Sequence, residues 1–361
     1  MTKFLKSSLA VLVSASILLS GCSGSPRNSE ESQNQSTSAV GSPAAQTNSV
    51  TQTDIDLSEV KPNENGKIMV VMFHNFVPSF TPSKYDDGQY TTTFNDFQKL
   101  LQTLYDKGYR LISLNDLLNN NISVPAGFIP MVFTFDDGTP GQFNLVDDGG
   151  KLVTNKESAV GIMEEFNRTH PDFGLKGTFF VNLGLKVFDG DGTVQERLNY
   201  LISQGFEIGN HTMSHIHLNE ARSAEQIQRE IGGEQKRMYE LIPGYKLFAF
   251  ALPFGQPSRD LQEFVIQGEY QGVQYQNSAI MEVGWDPTVS PVSKKFNPLS
   301  IHRVRASGIK PVQADLAWWL QNLSRNDQYI SDGNPDTVTI PKEKEADIDN
   351  NRLNGKKLVV Y

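Results

Sequence analysis

The 361-residue chain has a single cysteine, Cys22, so no disulfide within the chain can staple its fold. Positive charge is also in short supply. Thirty-two lysines and arginines face 41 aspartates and glutamates, for a formal net charge of -9. Removing residues 1–21 would take Lys3 and Lys6 with it and leave the balance more acidic. Such a chain lacks the basic surface that draws nucleic acid, and nucleic acid is excluded as a partner. Long apolar runs are missing after residue 22, so no later stretch of sequence reads as a membrane-spanning helix. The apolar and charged fractions, 38% and 20%, are ordinary for a globular protein. The length suits one large domain or two small ones.

What is present begins with an address. Lys3 and Lys6 form a short basic region, and Leu9 to Leu19 an apolar one. Leu19-Ser-Gly-Cys22 then supplies small residues just before the cysteine. A plain secretory signal has this layout without needing the cysteine. The segment resembles a bacterial lipoprotein signal, which implies cleavage before Cys22 and lipid attached to its thiol. On that reading residues 1–21 are a signal peptide. Residues 22–66, rich in Ser, Asn, Gln, Thr and Pro, cannot bury a core and form a flexible polar tether. Folded sequence is expected from Lys67 to residue 324, followed by a polar tail over 325–361.

Between 67 and 324 strand-like and helix-like segments alternate. Lys67–His74, Met131–Phe135, Lys176–Asn182, Gly205–His211 and Lys246–Gly255 have strand character. Thr93–Gly108 reads as an amphipathic helix with Phe94, Phe97, Leu101 and Leu104 on one face, Thr93 and Asp96 at its start, and Gly108 as its stop. A later helix carries Trp318 and Trp319. This alternation predicts an α/β fold with a parallel sheet, open or closed into a barrel. In barrels the working residues stand at the C-terminal ends of strands, and Asp136, Asp137, His211 and Phe254 fall there.

Asp136 and Asp137 close the apolar run Met-Val-Phe-Thr-Phe. Two adjacent carboxylates repel, and burial raises the cost of both, so something must offset it. Asp-Gly is common turn chemistry, but a surface turn does not account for the apolar run before it. His211 and His215 stand four apart, a spacing that on a helical turn puts both imidazoles on one face. If the ends of two neighbouring strands meet, Asp137, His211 and His215 would converge on a divalent ion, three protein ligands with an open position being the pattern of a catalytic zinc site. Asp136 would be left over to accept a proton from water. Gly138 permits the sharp turn that lets both aspartates reach one place.

Thr-Phe-Asp-Asp-Gly, Gly-Thr-Phe-Phe-Val, Glu-Ile-Gly-Asn-His and His-Thr-Met-Ser-His together resemble the polysaccharide deacetylases, also called carbohydrate esterase family four or the NodB-homology domain. The resemblance covers roughly Lys67 to Leu323. It implies a distorted (β/α)7-type barrel forming a single catalytic domain, and metal-dependent removal of acetyl groups from sugar polymers. It also implies Asp136 as base, with Asp137, His211 and His215 as ligands to zinc, or to cobalt or nickel. A third family motif reads Arg-x-Pro-aromatic-Gly. Here Pro253, Phe254 and Gly255 match, but Ala251 stands in place of the arginine that orients the base. The family resemblance gives the Phe254 main-chain N–H the task of holding the oxyanion.

A departing amine needs a proton, which a histidine can donate. His302 lies where many family members carry this acid. His74, ending the first strand, resembles the early acid of the poly-N-acetylglucosamine subgroup and is preferred, because strand-like residues follow His302. Trp285 falls where the family often has a groove-lining tryptophan, and core packing is an equal reading for it. At least one of Trp318 and Trp319 is expected to pack rather than to face a sugar. His170 and His217 are expected to face solvent. Arg303 either takes part in orienting charge at the site or serves a structural salt bridge, the commoner role for such a residue. The connection Thr139–Asn155 is longer than usual and is expected to be a flap over the groove.

The sequence therefore reads as a lipid-anchored, extracytoplasmic, metal-dependent deacetylase. Its partner would be an acetylated amino-sugar polysaccharide: peptidoglycan, poly-N-acetylglucosamine or a chitin-like polymer. The alternatives are a silent carbohydrate-binding lipoprotein that keeps the fold, an O-acetyl esterase on xylan-like polymers, and an amidase of small amides.

Overall fold

Met69–Phe73 and Ile129–Asp136 are buried along their whole length, as strands covered on both faces must be. In the computed structural model, which describes residues 55–361 apart from 83, 85, 256–259 and 285, they are neighbours in one parallel sheet. Its strands, in chain order, are β1 Met69–Phe73, β2 Tyr109–Leu111, β3 Ile129–Asp136, β4 Thr178–Val181, β5 Glu207–Asn210, β6 Ala249–Ala251, β7 Ala279–Met281 and β8 Val304–Arg305. Seven of them follow one another in the order β7-β6-β5-β4-β3-β1-β8. β2 and β4 share the remaining edge of β3: Ile129 to Met131 pair with β2, and Thr134 to Asp136 with β4.

The circuit closes through the segment that carries β8. Ile301 bridges to Met281 on β7, and Val304 pairs with Val71 on β1. The expected α/β barrel of the seven-stranded type is the observed fold, distorted where β2 intrudes.

Side-chain alternation sorts the strand residues into two layers. Met69, Val71, Phe73, Met131, Phe133 and Phe135 belong to the outer core, together with Phe97, Leu101 and Leu104 of helix α1 (Phe94–Asp106). Thr93 caps that helix, its hydroxyl accepting the Asp96 N–H at 3.1 Å. Val70 and Val132 face the other way, into the barrel, with Phe180, Ala249, Ala251 and Met281. His74, Thr134 and Asp136 follow Val70 and Val132 in that alternation and so point inward. Arg303, next to the outward Val304, does the same. Helices α2 (Ala159–Thr169), α3 (Val194–Ser203) and α4 (Ala224–Leu241) complete the cover.

Two boundaries differ from the sequence expectation. The supposed polar tail is folded: Thr337–Ile340 pairs in parallel with Lys357–Val360, and Val338, Ile340 and Ile348 bury a small core with Val292. The end of the supposed tether joins it, beginning with a helix at Leu57–Val60. Glu64 is buried there and accepts hydrogen bonds from the Thr339 N–H at 2.8 Å and the Tyr329 hydroxyl at 3.2 Å. The apolar residues that anchor these segments are few and scattered through polar sequence, so composition concealed them. The expected signal peptide, Cys22 and the tether up to residue 54 lie outside the described residues. Among the described residues no helix is long and apolar enough to cross a membrane.

The expected flap holds a hairpin, Leu145–Asp148 with Lys151–Thr154. Its second strand lines a cavity of about 970 Å³ with residues of α1 and α2, none of them in the Asp–His cluster.

Candidate active site

β3 ends by turning. Asp136 is the last strand residue, Asp137 has φ 77° and Gly138 φ 63°. The left-handed step at Asp137 breaks the alternation, so two consecutive carboxylates reach the same mouth. A Cβ at position 138 would lie 2.4 Å from Val187 Cγ1, so only glycine fits the turn.

Asp137 Oδ1 lies 3.5 Å from His211 Nε2 and 3.4 Å from His215 Nε2. Ligand atoms about 2.0–2.2 Å from one tetrahedral ion are roughly 3.3–3.6 Å apart. The ligand atoms of all three residues fall within 4.8 Å of one another. His211 Nδ1 donates to the Ala251 carbonyl at 2.8 Å, which leaves Nε2 free for a metal, the usual way a protein fixes a ligating imidazole. The electrostatics agree. Burial opposes charge on Asp137, yet His211, His74 and His215 hold its carboxyl far below the ordinary value. His211 is raised despite its own burial, through Asp137, Asp136 and the Ala251 carbonyl. His215 is lowered, by burial and then by His211. Two carboxylates draw positive charge to this spot, and the donor set fits a divalent cation.

The strands behind the site correct one expectation. β3 and β5 are not adjacent, because β4 runs between them, and it is the curl of the sheet that brings their ends together. The histidine segment is no helical turn either. Thr212 (φ 67°) and His215 (φ 55°) are left-handed, and the two rings meet at 4.9 Å through a bent loop. Buried polar side chains hold that loop. Asn182 Nδ2 donates to the carbonyls of His211 and Thr212. Asn210 Oδ1 accepts the Thr212 N–H at 2.9 Å, and Glu230 accepts the Ser214 N–H and hydroxyl. None of these was singled out in the sequence. Asn182 and Asn210 could have been, since each is an amide side chain at the end of an apolar strand.

Asp136 has a partner, Arg303, for which the sequence left two roles open. Arg303 Nη1 donates to Oδ1 at 2.7 Å and Nη2 to Oδ2 at 2.8 Å, with the side chains 0% and 2% exposed. Its other bonds go to Thr134 Oγ1 and the Glu282 carbonyl. Burial alone would raise the Asp136 carboxyl, but Arg303 and His211 outweigh it and hold it below the usual carboxylate value. The guanidinium that holds Asp136 thus comes not from position 251 but from Arg303, just before β8, and of the two roles the sequence left open for Arg303 it takes the one at the site.

His74 Nε2 lies 3.9 Å from Asp136 Oδ2 with its side chain 19% exposed. Burial lowers its pKa against the pull of Asp136 and Asp137. His302 is 47% exposed and faces Glu282 at 3.6 Å. Alternation explains this: beside the inward Arg303, His302 must point outward. Gln142, fully buried, donates to the carbonyls of both His74 and Asp136 and ties the ends of β1 and β3 together. Its position inside a Gly-rich connection gave no sequence signal.

After β6, Pro253 is buried beneath a turn in which Phe254 has φ 57° and Gly255 φ 65°. The Phe254 ring is 50% exposed and lies 4.6 Å from the His215 ring. His217, expected in solvent, stacks on Phe254 at 3.6 Å and 6°. Likewise His170 stacks on Phe166. Trp318 and Trp319 meet edge to face at 4.7 Å, Trp319 against the outer core. Trp285 lies outside the described residues.

Residues 125–273 match the family model for polysaccharide deacetylase. This segment, less than half of the chain, resembles a polysaccharide deacetylase domain. It contains Asp136, Asp137, His211, His215 and Phe254, but neither His74 nor Arg303. Among solved structures, the Streptococcus pyogenes deacetylase PplD, in complex with acetate, is 18% identical, covering 72% of this chain and 98% of its own, with a TM-score of 0.51. A polysaccharide deacetylase from Bacillus cereus is 16% identical, covering 72% of this chain and 69% of its own, with a TM-score of 0.49. At these identities the likeness is one of fold. No curated protein matches the sequence.

Proposed function

We propose that the deacetylase domain is a metal-dependent hydrolase that removes N-acetyl groups from an amino-sugar polysaccharide of the cell envelope. A single observation carries this reading. Three ligand atoms, from Asp137, His211 and His215, converge beside a second carboxylate, Asp136, that an arginine holds ionised. Bound there, a zinc ion (or cobalt or nickel) supplies a Lewis acid that polarises the acetamide carbonyl and lowers the pKa of water.

The chain's own groups do the rest. Asp136 Oδ2 accepts the proton of the attacking water while Arg303 fixes the plane of the carboxylate. The Phe254 N–H donates to the oxygen on which negative charge develops. His74 hands a proton to the departing amine nitrogen, and its lowered pKa makes the protonated ring the stronger acid. The Phe254 ring, exposed beside His215, offers an apolar face to a sugar. The Arg303–Asp136 pair weighs against a silent scaffold, since it keeps the carboxylate held although position 251 is an alanine.

We further propose that lipid on Cys22 anchors the protein outside the cytoplasm. One saturated chain alone binds membranes marginally, and several anchor stably. The test is acetate release from N-acetylglucosamine oligomers by purified protein, with chelator and after zinc is restored. Release that is lost with chelator and regained with zinc is the expected result. No release from any acetylated oligomer, with metal present, would refute the reading.

A further inference from the structure

Arg305 ends β8 two residues beyond Arg303, which directly precedes that strand in extended continuation, so alternation sends both side chains toward the barrel mouth. Their surroundings differ. Arg303 is enclosed, bonded to Asp136, Thr134 and the Glu282 carbonyl. Arg305 is half-buried and makes one hydrogen bond, from Nη1 to the Gln89 side-chain oxygen at 3.2 Å. Among the described residues no carboxylate pairs with it. The acids of the adjoining loop are engaged elsewhere: Asp87 with Lys310, and Asp86 with the Thr91 hydroxyl and the Gly88 N–H.

A guanidinium has five N–H donors in a planar fork, so most of those on Arg305 remain unused. Its carbon lies 5.0 Å from the centre of the Tyr90 ring. Tyr90 is 42% exposed and meets the His74 ring edge to face at 5.0 Å, and His74 in turn lies 3.9 Å from Asp136. The Asn75 N–H donates to the Tyr90 carbonyl at 3.0 Å, which fixes this corner to the end of β1. A continuous line thus runs from the base through His74 and an exposed ring to a cation without an ionic partner.

We propose that Arg305 and Tyr90 form a specificity subsite for an anionic oxygen group, a carboxylate or a phosphate, carried by the polymer next to the acetylated sugar. Tyr90 supplies a flat face for the sugar ring, and Arg305 pairs with the acidic substituent through two N–H groups. This names the substrate class within the deacetylase reading and rests on it. Neutral polymers such as chitin-like chains then rank below acidic ones.

The experiment uses three oligosaccharides of equal length. One is all N-acetylglucosamine, one alternates N-acetylglucosamine with a lactyl-ether sugar that bears a carboxylate, and one is phosphorylated N-acetylglucosamine. The zinc-loaded wild type should favour one acidic oligomer over the neutral one by about 10- to 100-fold in kcat/KM, the worth of a charge-assisted pair. Whichever acidic oligomer wins identifies the source of the charge. Arg305→Gln should bring the ratio to within about twofold of one, through KM rather than kcat, and Arg305→Lys should keep an intermediate ratio. A role confined to holding the Gln89 loop would lower activity on all three alike and leave the ratio unchanged, which overturns the proposal. So does a wild type without preference.

Calorimetric binding of the same oligomers to wild type and Arg305→Gln requires no turnover. If no oligomer releases acetate, the deacetylase reading falls, and the acidic-to-neutral affinity ratio still decides the subsite.

Discussion

Arg303 grips Asp136 through two parallel hydrogen bonds, with both side chains withdrawn from solvent. The arginine directly precedes the last barrel strand and the aspartate ends the third, so the pair exists only because the barrel closes. Removing one partner of a buried pair strands the other charge, at a cost of about 3–5 kcal/mol. Arg303→Ala should lose about that much stability to urea and at least 10²-fold in kcat. Arg303→Ala with Asp136→Ala should recover much of the stability and none of the activity. Urea midpoints of the two variants check this, and equal losses in both would show that the pair is not coupled.

The ligand trio predicts metal content. Wild-type protein dialysed against zinc should retain one equivalent by elemental analysis. Asp137→Ala, His211→Ala and His215→Ala should each weaken binding by more than about 100-fold, since even outer-shell changes cost 10- to 100-fold. A variant that keeps a full equivalent would remove its residue from the ligand set.

The two histidines separate by turnover. His74→Ala should lower kcat by about 10²–10⁴, the usual range for a general acid. His302→Ala, on a residue that faces Glu282, should stay within about threefold of wild type. The reverse pattern would move the acid to His302.

Glu64 makes stability depend on pH. Burial, and next the charge of Asp332, push its carboxyl up from 4.5 to about 8. Folded protein therefore keeps a proton that the unfolded chain releases near 4.5. Its contribution to stability is fully present below that pH and is lost as pH rises toward 8. Urea midpoints should fall between pH 5 and pH 9, and Glu64→Gln should lose less over that interval. Parallel curves would rule out Glu64 as the source.

Much of the candidate site was legible in the sequence because it is local. An apolar strand that ends in Asp-Asp-Gly, and histidines four apart after another strand, carry their chemistry in short motifs. The alternation of strands and helices gave the α/β class with its parallel sheet for the same reason, and left open whether that sheet closes. What escaped was long-range or irregular. Gln142 and Asn182 act by reaching backbone carbonyls of other segments, and no spacing records that. The folded C-terminal layer hid in polar sequence because its few anchors, among them Ile330 and Ile340, find their partners far along the chain.

By itself, the sequence determined the chemistry available: which carboxylates and imidazoles stand at strand ends, and that the chain is acidic with one cysteine. Closure of the barrel decided the rest. It chose Arg303 rather than residue 251 to hold Asp136, turned His302 outward and His74 inward, and left Arg305 beside Tyr90. A side chain's direction follows from strand alternation, but its partner depends on which strands the sheet brings side by side, and that is settled only when the chain packs.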